Sequence, residues 1–378
     1  MDEIMLQEDP QVKNIRKTDD IILGYDGTNA EEVFVVPGDR AINQHVCVVG
    51  GAGCGKTWSY TLGNILQKAS AQESMFILDA GEELYGQAGA YLRSRGYTVK
   101  QINASGSTED DVDPTLPGKT PCAYFCYVSP FDAEVNANAA ALLTAALDRL
   151  IQFADTQPDQ KCPVPVHFFL DEFCNIGRIE NFHMKLVAAR KRGISISILL
   201  QSVVQLKALY GEDWMSIFHN CDTQVCLGTG IYDIETLEAF ERRIDSVMHA
   251  AGMQQQKPPH WTQRHRNPSP VYQQKYPELT TLNQDECLVV CRNDCAKKLL
   301  KFPLHKHPDY ELLSKVPDLL LDDPSNLAAQ PARTDMWGED GTCPYCGKNV
   351  YDSIDANISS RYAPPFCPNC GTNMSPGT

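Results

Sequence analysis

No window of the sequence comes near the run of about 18 consecutive apolar residues that a membrane-crossing helix needs. The N-terminus, MDEIMLQEDP, lacks the basic-then-apolar order of a secretory signal. These two absences lead us to expect a soluble chain that is not exported. Basic residues are scarce too: 33 Lys and Arg stand against 48 Asp and Glu, a net charge of −15. That balance argues against a protein that holds nucleic acid by overall charge. The deficit is local, however. Residues 1–40 carry ten acids against four bases, and residues 309–340 carry eight against two. The stretch between them is close to neutral and can still present a basic channel. Fifteen cysteines without an export signal point to thiols or metal ligands rather than disulfides.

What is present is organised around Val46-Cys47-Val48-Val49-Gly50-Gly51-Ala52-Gly53-Cys54-Gly55-Lys56-Thr57. A β-branched run ends in a glycine-rich turn, then Lys-Thr, then a helix-compatible segment from Trp58 to Lys68. This is the order of a phosphate-binding loop. Backbone N–H groups from Gly50 through Trp58 curl around phosphate oxygens, Lys56 reaches the β- and γ-phosphates, and Thr57 offers its hydroxyl to Mg²⁺. The expected ligands are therefore ATP and Mg²⁺.

Downstream, strand and helix patterns alternate. Strands are expected at 32–36, 75–79, 98–102, 122–128, 166–170, 194–200 and 224–227, with helices at 83–95, 133–154, 179–192, 203–210 and 233–250. Such alternation predicts an α/β fold with a mainly parallel twisted sheet flanked by helices. The strand at 166–170 delivers Asp171 and Glu172 at its C-terminal end, where ligands sit in such sheets. Asp171 would support Mg²⁺ together with Thr57, and Glu172 would orient or deprotonate the attacking water. Gln201, just past the next strand, is placed to sense the γ-phosphate. Arg190 ends a helix in Arg190-Lys191-Arg192, where a base can simply complement the helix dipole.

Residues 254–278 are rich in Gln and Pro, with Lys257, Arg264, Arg266 and Lys275 interleaved with Trp261, Tyr272 and Tyr276. A polar loop explains this composition, and stacking on single-stranded nucleic acid is the other reading. Strands at 288–291 and 297–302 read as a closing hairpin. Its Cys287, Cys291 and Cys295 cannot easily converge on a metal. After the acidic tether at 309–340, Cys343-Pro-Tyr-Cys346-Gly and Cys367-Pro-Asn-Cys370-Gly form two knuckles. Their spacing predicts a small C-terminal zinc ribbon, a closed Cys₄ site for structural Zn²⁺ over 341–378. The division expected is an acidic lead-in over 1–40, a P-loop ATPase domain over 41–308, the tether, and the ribbon.

With these residues in view, the chain resembles the type IV coupling proteins, the TraG/TraD-type conjugation ATPases. The resemblance spans roughly residues 40–308. It rests on the loop at Gly50 to Thr57, on Leu78-Asp79-Ala80-Gly81-Glu82-Glu83-Leu84 and Arg95-Gly96-Tyr97, on Phe169 to Gly177, on Gln201 to Leu206, and on Tyr210-Gly211 and Asn220-Cys221. It implies a RecA-like motor that brings DNA, with a bound relaxase, to a type IV secretion channel. By position, Arg190 would be an arginine finger reaching a neighbour's nucleotide, and Gln201 would couple phosphate state to movement. A finger acting in trans implies a homo-oligomeric ring, for example a hexamer. The family's N-terminal membrane helices are not expected here, so location is cytoplasmic, with the cell membrane reached only through partners. Its large all-helical domain is replaced by a short loop at 104–118, and the ribbon is an addition. The alternative is a non-pumping adaptor, switched by ATP, that recruits DNA or protein through the ribbon. A further reading is an unrelated RecA-like DNA pump.

Overall fold

The computed structural model describes residues 20–25, 33–36, 43–102, 113–228, 233–250, 279, 281–292 and 296–315. Eleven strands form one sheet: β1 (Ile21–Tyr25), β2 (Val33–Val36), β3 (Val46–Gly50), β4 (Ser74–Ala80), β5 (Thr98–Ile102), β6 (Cys122–Val128), β7 (Val166–Leu170), β8 (Ile194–Leu200), β9 (Thr223–Gly228), β10 (Glu286–Cys291) and β11 (Ala296–Leu300). Their order is β2-β1-β11-β10-β9-β3-β8-β7-β4-β6-β5. From β9 to β5 every pairing is parallel. From β9 to β2 every pairing is antiparallel. The parallel strands are nearly continuous in Val, Ile, Leu and Phe because both faces are covered. Val46 to Val49, Phe168 to Leu170 and Ile198 to Leu200 are all buried.

The helices are α1 (Leu62–Ser70), α2 (Glu83–Ser94), α3 (Ala133–Asp155), α4 (Phe182–Arg190), α5 (Val203–Tyr210), α6 (Trp214–Asn220), α7 (Ile234–Ala250) and α8 (Tyr310–Lys315). The longest, α3, starts where Asp132 accepts the N–H groups of Glu134 and Val135, a side-chain cap that satisfies two otherwise orphan donors. Its apolar stripe of Ala139, Leu143, Ala146, Leu147 and Leu150 buries against a core that includes Phe76, Tyr124 and Phe168. Phe76 and Phe168 stack with ring centroids 5.3 Å apart. Among the described residues, no helix is long and apolar enough to cross a membrane.

Three elements depart from the sequence reading. Ile21–Tyr25 is an additional strand, and with Val33–Val36 it forms the sheet's antiparallel edge, so these two segments of the lead-in belong to the core sheet. Asn64 of α1 fastens it, accepting from the Ile22 N–H at 2.7 Å and donating to the Ile22 carbonyl at 2.9 Å. Trp214–Asn220 adds α6. At the other end, the polypeptide does not leave the domain at residue 308. Asp309 is buried and accepts hydrogen bonds from Tyr91 and Ser70, at 2.9 and 3.0 Å, and α8 follows it against α2. Replacing Asp309 with Ala leaves the buried Tyr91 hydroxyl without this acceptor, while half-buried Ser70 keeps the Leu66 carbonyl at 3.0 Å. It should lower unfolding free energy by about 1–3 kcal/mol, read as a lower denaturant midpoint, with ATP-analogue affinity unchanged.

The loop at 104–118 lies largely outside the described residues, apart from a 3₁₀ turn at Leu116–Gly118. The basic and aromatic segment at 254–278 and all four ribbon cysteines also lie outside them. Cys287 and Cys291 are buried in β10.

Candidate nucleotide site

Strand order explains how residues far apart in the chain meet. β3, β8 and β7 are neighbours and parallel, with Val49 opposite Leu200 and Leu170 opposite Ile198. Their C-terminal ends form one edge, and each is followed directly by a polar candidate. Past β3, the loop turns back so that the Gly51 N–H donates to the Gly228 carbonyl at 3.2 Å and the Cys54 N–H to the Gly51 carbonyl at 3.2 Å. Gly53 and Gly55 have φ of 74° and 88°, left-handed values that a side chain would strain. The Ser59 N–H and hydroxyl both bond the Gly55 carbonyl, at 2.8 and 2.6 Å.

The segment after the loop differs from the ordinary helix expected from Trp58. Thr57–Thr61 is a π-helical turn, closed by the Leu62 N–H on the Thr57 carbonyl. Side chains impose the wider turn: Asn64 donates to the Tyr60 carbonyl at 2.9 Å, and the Tyr60 hydroxyl is held by Ser197 on β8 at 2.7 Å. Side chains that intrude on the helix ladder favour such bulges, which recur at functional sites. Trp58 stands half-exposed beside the loop.

Lys56 reaches back across the loop to the Gly50 carbonyl at 2.9 Å and lies 3.5 Å from Glu172 Oε1. The other Glu172 oxygen accepts from Gln201 Nε2 at 2.9 Å. A polar chain, Lys56–Glu172–Gln201, thus spans the ends of three adjacent strands. Glu172 has φ of 48°, an uncommon backbone state for a side-chain-bearing residue. Its N–H donates to Asp171 Oδ1 at 3.0 Å. Asp171 is buried, and its carboxyl is pushed up to about 6 by burial first and by the Glu172 charge second, against the opposing pull of Lys56. A buried carboxylate with remaining acceptor capacity, within the field of Lys56, is of the kind that suits a hard divalent cation.

One consequence is a pH dependence of metal binding. With Asp171 as a ligand, Mg²⁺ would need its ionised carboxylate, and Mg²⁺-dependent ATP-analogue affinity would fall as pH drops below about 6. The folding contribution has the opposite sense: an acid with a raised folded-state pKa favours the fold when protonated, and that contribution is lost as pH rises through about 6. Titrating analogue binding with Mg²⁺ on either side of pH 6 checks the first effect.

Arg190 is not part of this cluster. It ends α4, just before β8 begins, at the opposite end of the sheet from the loop. The seven residues of β8 put about 20 Å between the two ends. Its guanidinium is 43% exposed and lies 3.9 Å from Asp222. Asp79 also has a role the sequence did not reveal: its two oxygens accept the Leu84 and Tyr85 N–H groups at 2.9 and 2.7 Å, capping α2. Lys301, beyond β11, donates to the Cys54 carbonyl at 2.9 Å and the Gln284 carbonyl at 2.6 Å, bracing the loop from the hairpin side. A single lysine after a strand carries no pattern that would have found it.

Two family models match the sequence. One, for type IV secretory system conjugative DNA transfer, matches residues 3–112, and the other, for the TraM recognition site of TraD and TraG, matches residues 165–283. No curated protein matches. Among solved structures, the plasmid coupling protein TrwB in complex with the non-hydrolysable ATP analogue ADPNP has a TM-score of 0.51 at 12% identity, over 79% of this chain and 92% of that one. TrwB in complex with ADP and Mg²⁺ gives the same four values. Its trigonal sulphate complex has a TM-score of 0.51 at 11% identity, over 77% and 91%. The likeness establishes a shared α/β fold.

Proposed function

We propose that this chain, which belongs to the type IV conjugative coupling proteins, is an ATP-driven motor that moves DNA, with its bound relaxase, toward a secretion channel. The observation that carries this reading is the Lys56–Glu172–Gln201 chain. It joins a phosphate-binding cation, a carboxylate able to activate water, and an amide that can report on both. The TrwB structures with ADPNP and with ADP and Mg²⁺ support the same ligands here.

Lys56 donates to the Gly50 carbonyl and faces Glu172. A γ-phosphate offers Lys56 a stronger partner and leaves Glu172 free to orient water. Gln201 would feel that exchange directly and pass it to α5, since its own N–H bonds Gln205 at 3.2 Å. Mg²⁺, held by Thr57 and Asp171, would supply charge neutralisation on the phosphates. Arg190 cannot cross to the loop of its own subunit, which supports action in trans and a ring. Met184 and Val187, exposed on the helix that carries Arg190, suit burial between subunits.

The direct test is ATP-dependent displacement of streptavidin from biotinylated DNA ends, single- and double-stranded. Displacement that needs hydrolysable ATP supports the motor. DNA binding and ATP binding without displacement under any condition sinks it and favours the ATP-switched adaptor. For the tail, we propose one structural Zn²⁺ held by Cys343, Cys346, Cys367 and Cys370. Purified protein should contain one zinc per chain, and Cys343→Ser should lose it while retaining ATP-analogue binding. A zinc content near zero in protein never exposed to chelator would overturn that assignment.

A further inference from the structure

β10 runs antiparallel to β9, with Cys291 opposite Thr223, and so returns Arg292 to the start of β9. There the Arg292 N–H donates to the Asp222 carbonyl at 2.8 Å, and its guanidinium lies 3.1 Å from Asp222 Oδ1. The other carboxylate oxygen faces Arg190 at 3.9 Å. Arg243, buried behind them, donates to the Asp222 carbonyl at 3.2 Å and to Gln224 at 2.8 Å. Two guanidiniums therefore face one carboxylate, and a third binds the same residue's carbonyl.

The arrangement is more than a buried acid with its counter-ion. One guanidinium would neutralise Asp222, and the other two leave the cluster with excess positive charge. His219 reports the same field, its imidazole pulled below its usual value by burial and then by Arg243 and Arg292. The Asp222 side chain is 10% exposed, whereas Arg190 and Arg292 are 43% and 54% exposed. The acid lies beneath and two cationic heads stand in solvent. At 3.9 Å, Arg190 is held by charge and not by a hydrogen bond, so it can swing away cheaply. Paired guanidiniums match the oxygens of a phosphate chain better than point charges do. Their own subunit's loop is out of reach, because β9 separates Asp222 from Gly228, whose carbonyl binds Gly51.

We infer that Arg292 is a second guanidinium presented, together with Arg190, to the polyphosphate of a nucleotide bound by a neighbouring copy of the chain, with Asp222 as the positioning residue that holds the pair until the anion arrives. This rests on the reading that Arg190 acts in trans.

The test is ATP turnover by mixed full-length subunits. Alone, Arg292→Ala should lose on the order of 30-fold or more in turnover, with its ATP-analogue affinity intact, and Arg292→Lys should lose less. Mixed with Lys56→Ala subunits, which lack a working loop but keep all their arginines, Arg292→Ala subunits should recover to roughly a quarter of wild type if subunits assort at random. Asp222→Asn should be recovered by the same partner, because the defect lies in what the subunit lends. A folding defect is not recovered this way. Wild-type turnover by Arg292→Ala overturns the inference. So does failure of the Arg292→Ala mixture where an Arg190→Ala mixture recovers, and that result leaves the Arg190 reading standing. If neither mixture recovers, the trans reading falls and takes the inference with it.

Discussion

Glu172→Gln should bind ATP and fail to turn it over. Loss of a base that activates water costs about 10²- to 10⁴-fold, and glutamine keeps the size and one hydrogen-bond acceptor of the side chain. Binding should not weaken. Lys56 faces Glu172 at 3.5 Å, a contact that competes with phosphate, and the substitution removes the competitor's charge. The signature is therefore asymmetric: an equilibrium affinity equal to wild type or tighter, with turnover nearly abolished. Equilibrium binding of ATP beside quenched hydrolysis separates the two quantities. Turnover within tenfold of wild type would remove Glu172 from the chemistry.

Arg190→Ala carries the second large effect, a loss on the order of 10³-fold or more in turnover. The geometry restricts how that loss can arise. Arg190 sits at the end of the sheet remote from Lys56, and its described ion pair is with Asp222, so nucleotide binding by the same subunit should be unchanged. The base at the end of α4 also complements the helix dipole, an effect of about 0.3–1 kcal/mol on stability. If that were its whole role, the melting temperature would move and turnover would not. Turnover per folded subunit, measured beside the melting curve, decides between them.

Much of the parallel half of the sheet was legible because its strands are short β-branched runs bounded by turn residues. The loop from Gly50 to Thr57 announced its own neighbours, strand before and helix after. Distance along the chain hid more. Asp222 and Arg292 lie 70 positions apart and meet only because β10 folds back along β9. Lys301 and Cys54 meet through the same hairpin. Ile21–Tyr25 is hidden in the sequence because a five-residue apolar run with an internal glycine, set in an acidic segment, has too little period to read. The two turns of α6 carry as little. The π-helical turn at Thr57–Thr61 depends on Asn64 and Ser197, partners no local pattern names. Asp309 reads as the start of a tether because its charge is visible in the sequence and its partners, Tyr91 and Ser70, are not.

The abundance of cysteine has a plain structural use away from the tail. Cys47, Cys122, Cys126, Cys221 and Cys226 are fully buried in or beside strands, where a thiol packs as a small apolar group. Burial pushes Cys126 and Cys226 up to about 12, so these thiols stay protonated and inert.

The most direct measurement is the ATPase rate per subunit of the wild-type protein across a range of protein concentrations, with and without DNA. An active site completed by a neighbour predicts a rate per subunit that rises steeply with concentration and reaches its plateau at lower concentration when DNA is present. A rate per subunit that is constant with concentration and indifferent to DNA would contradict the account.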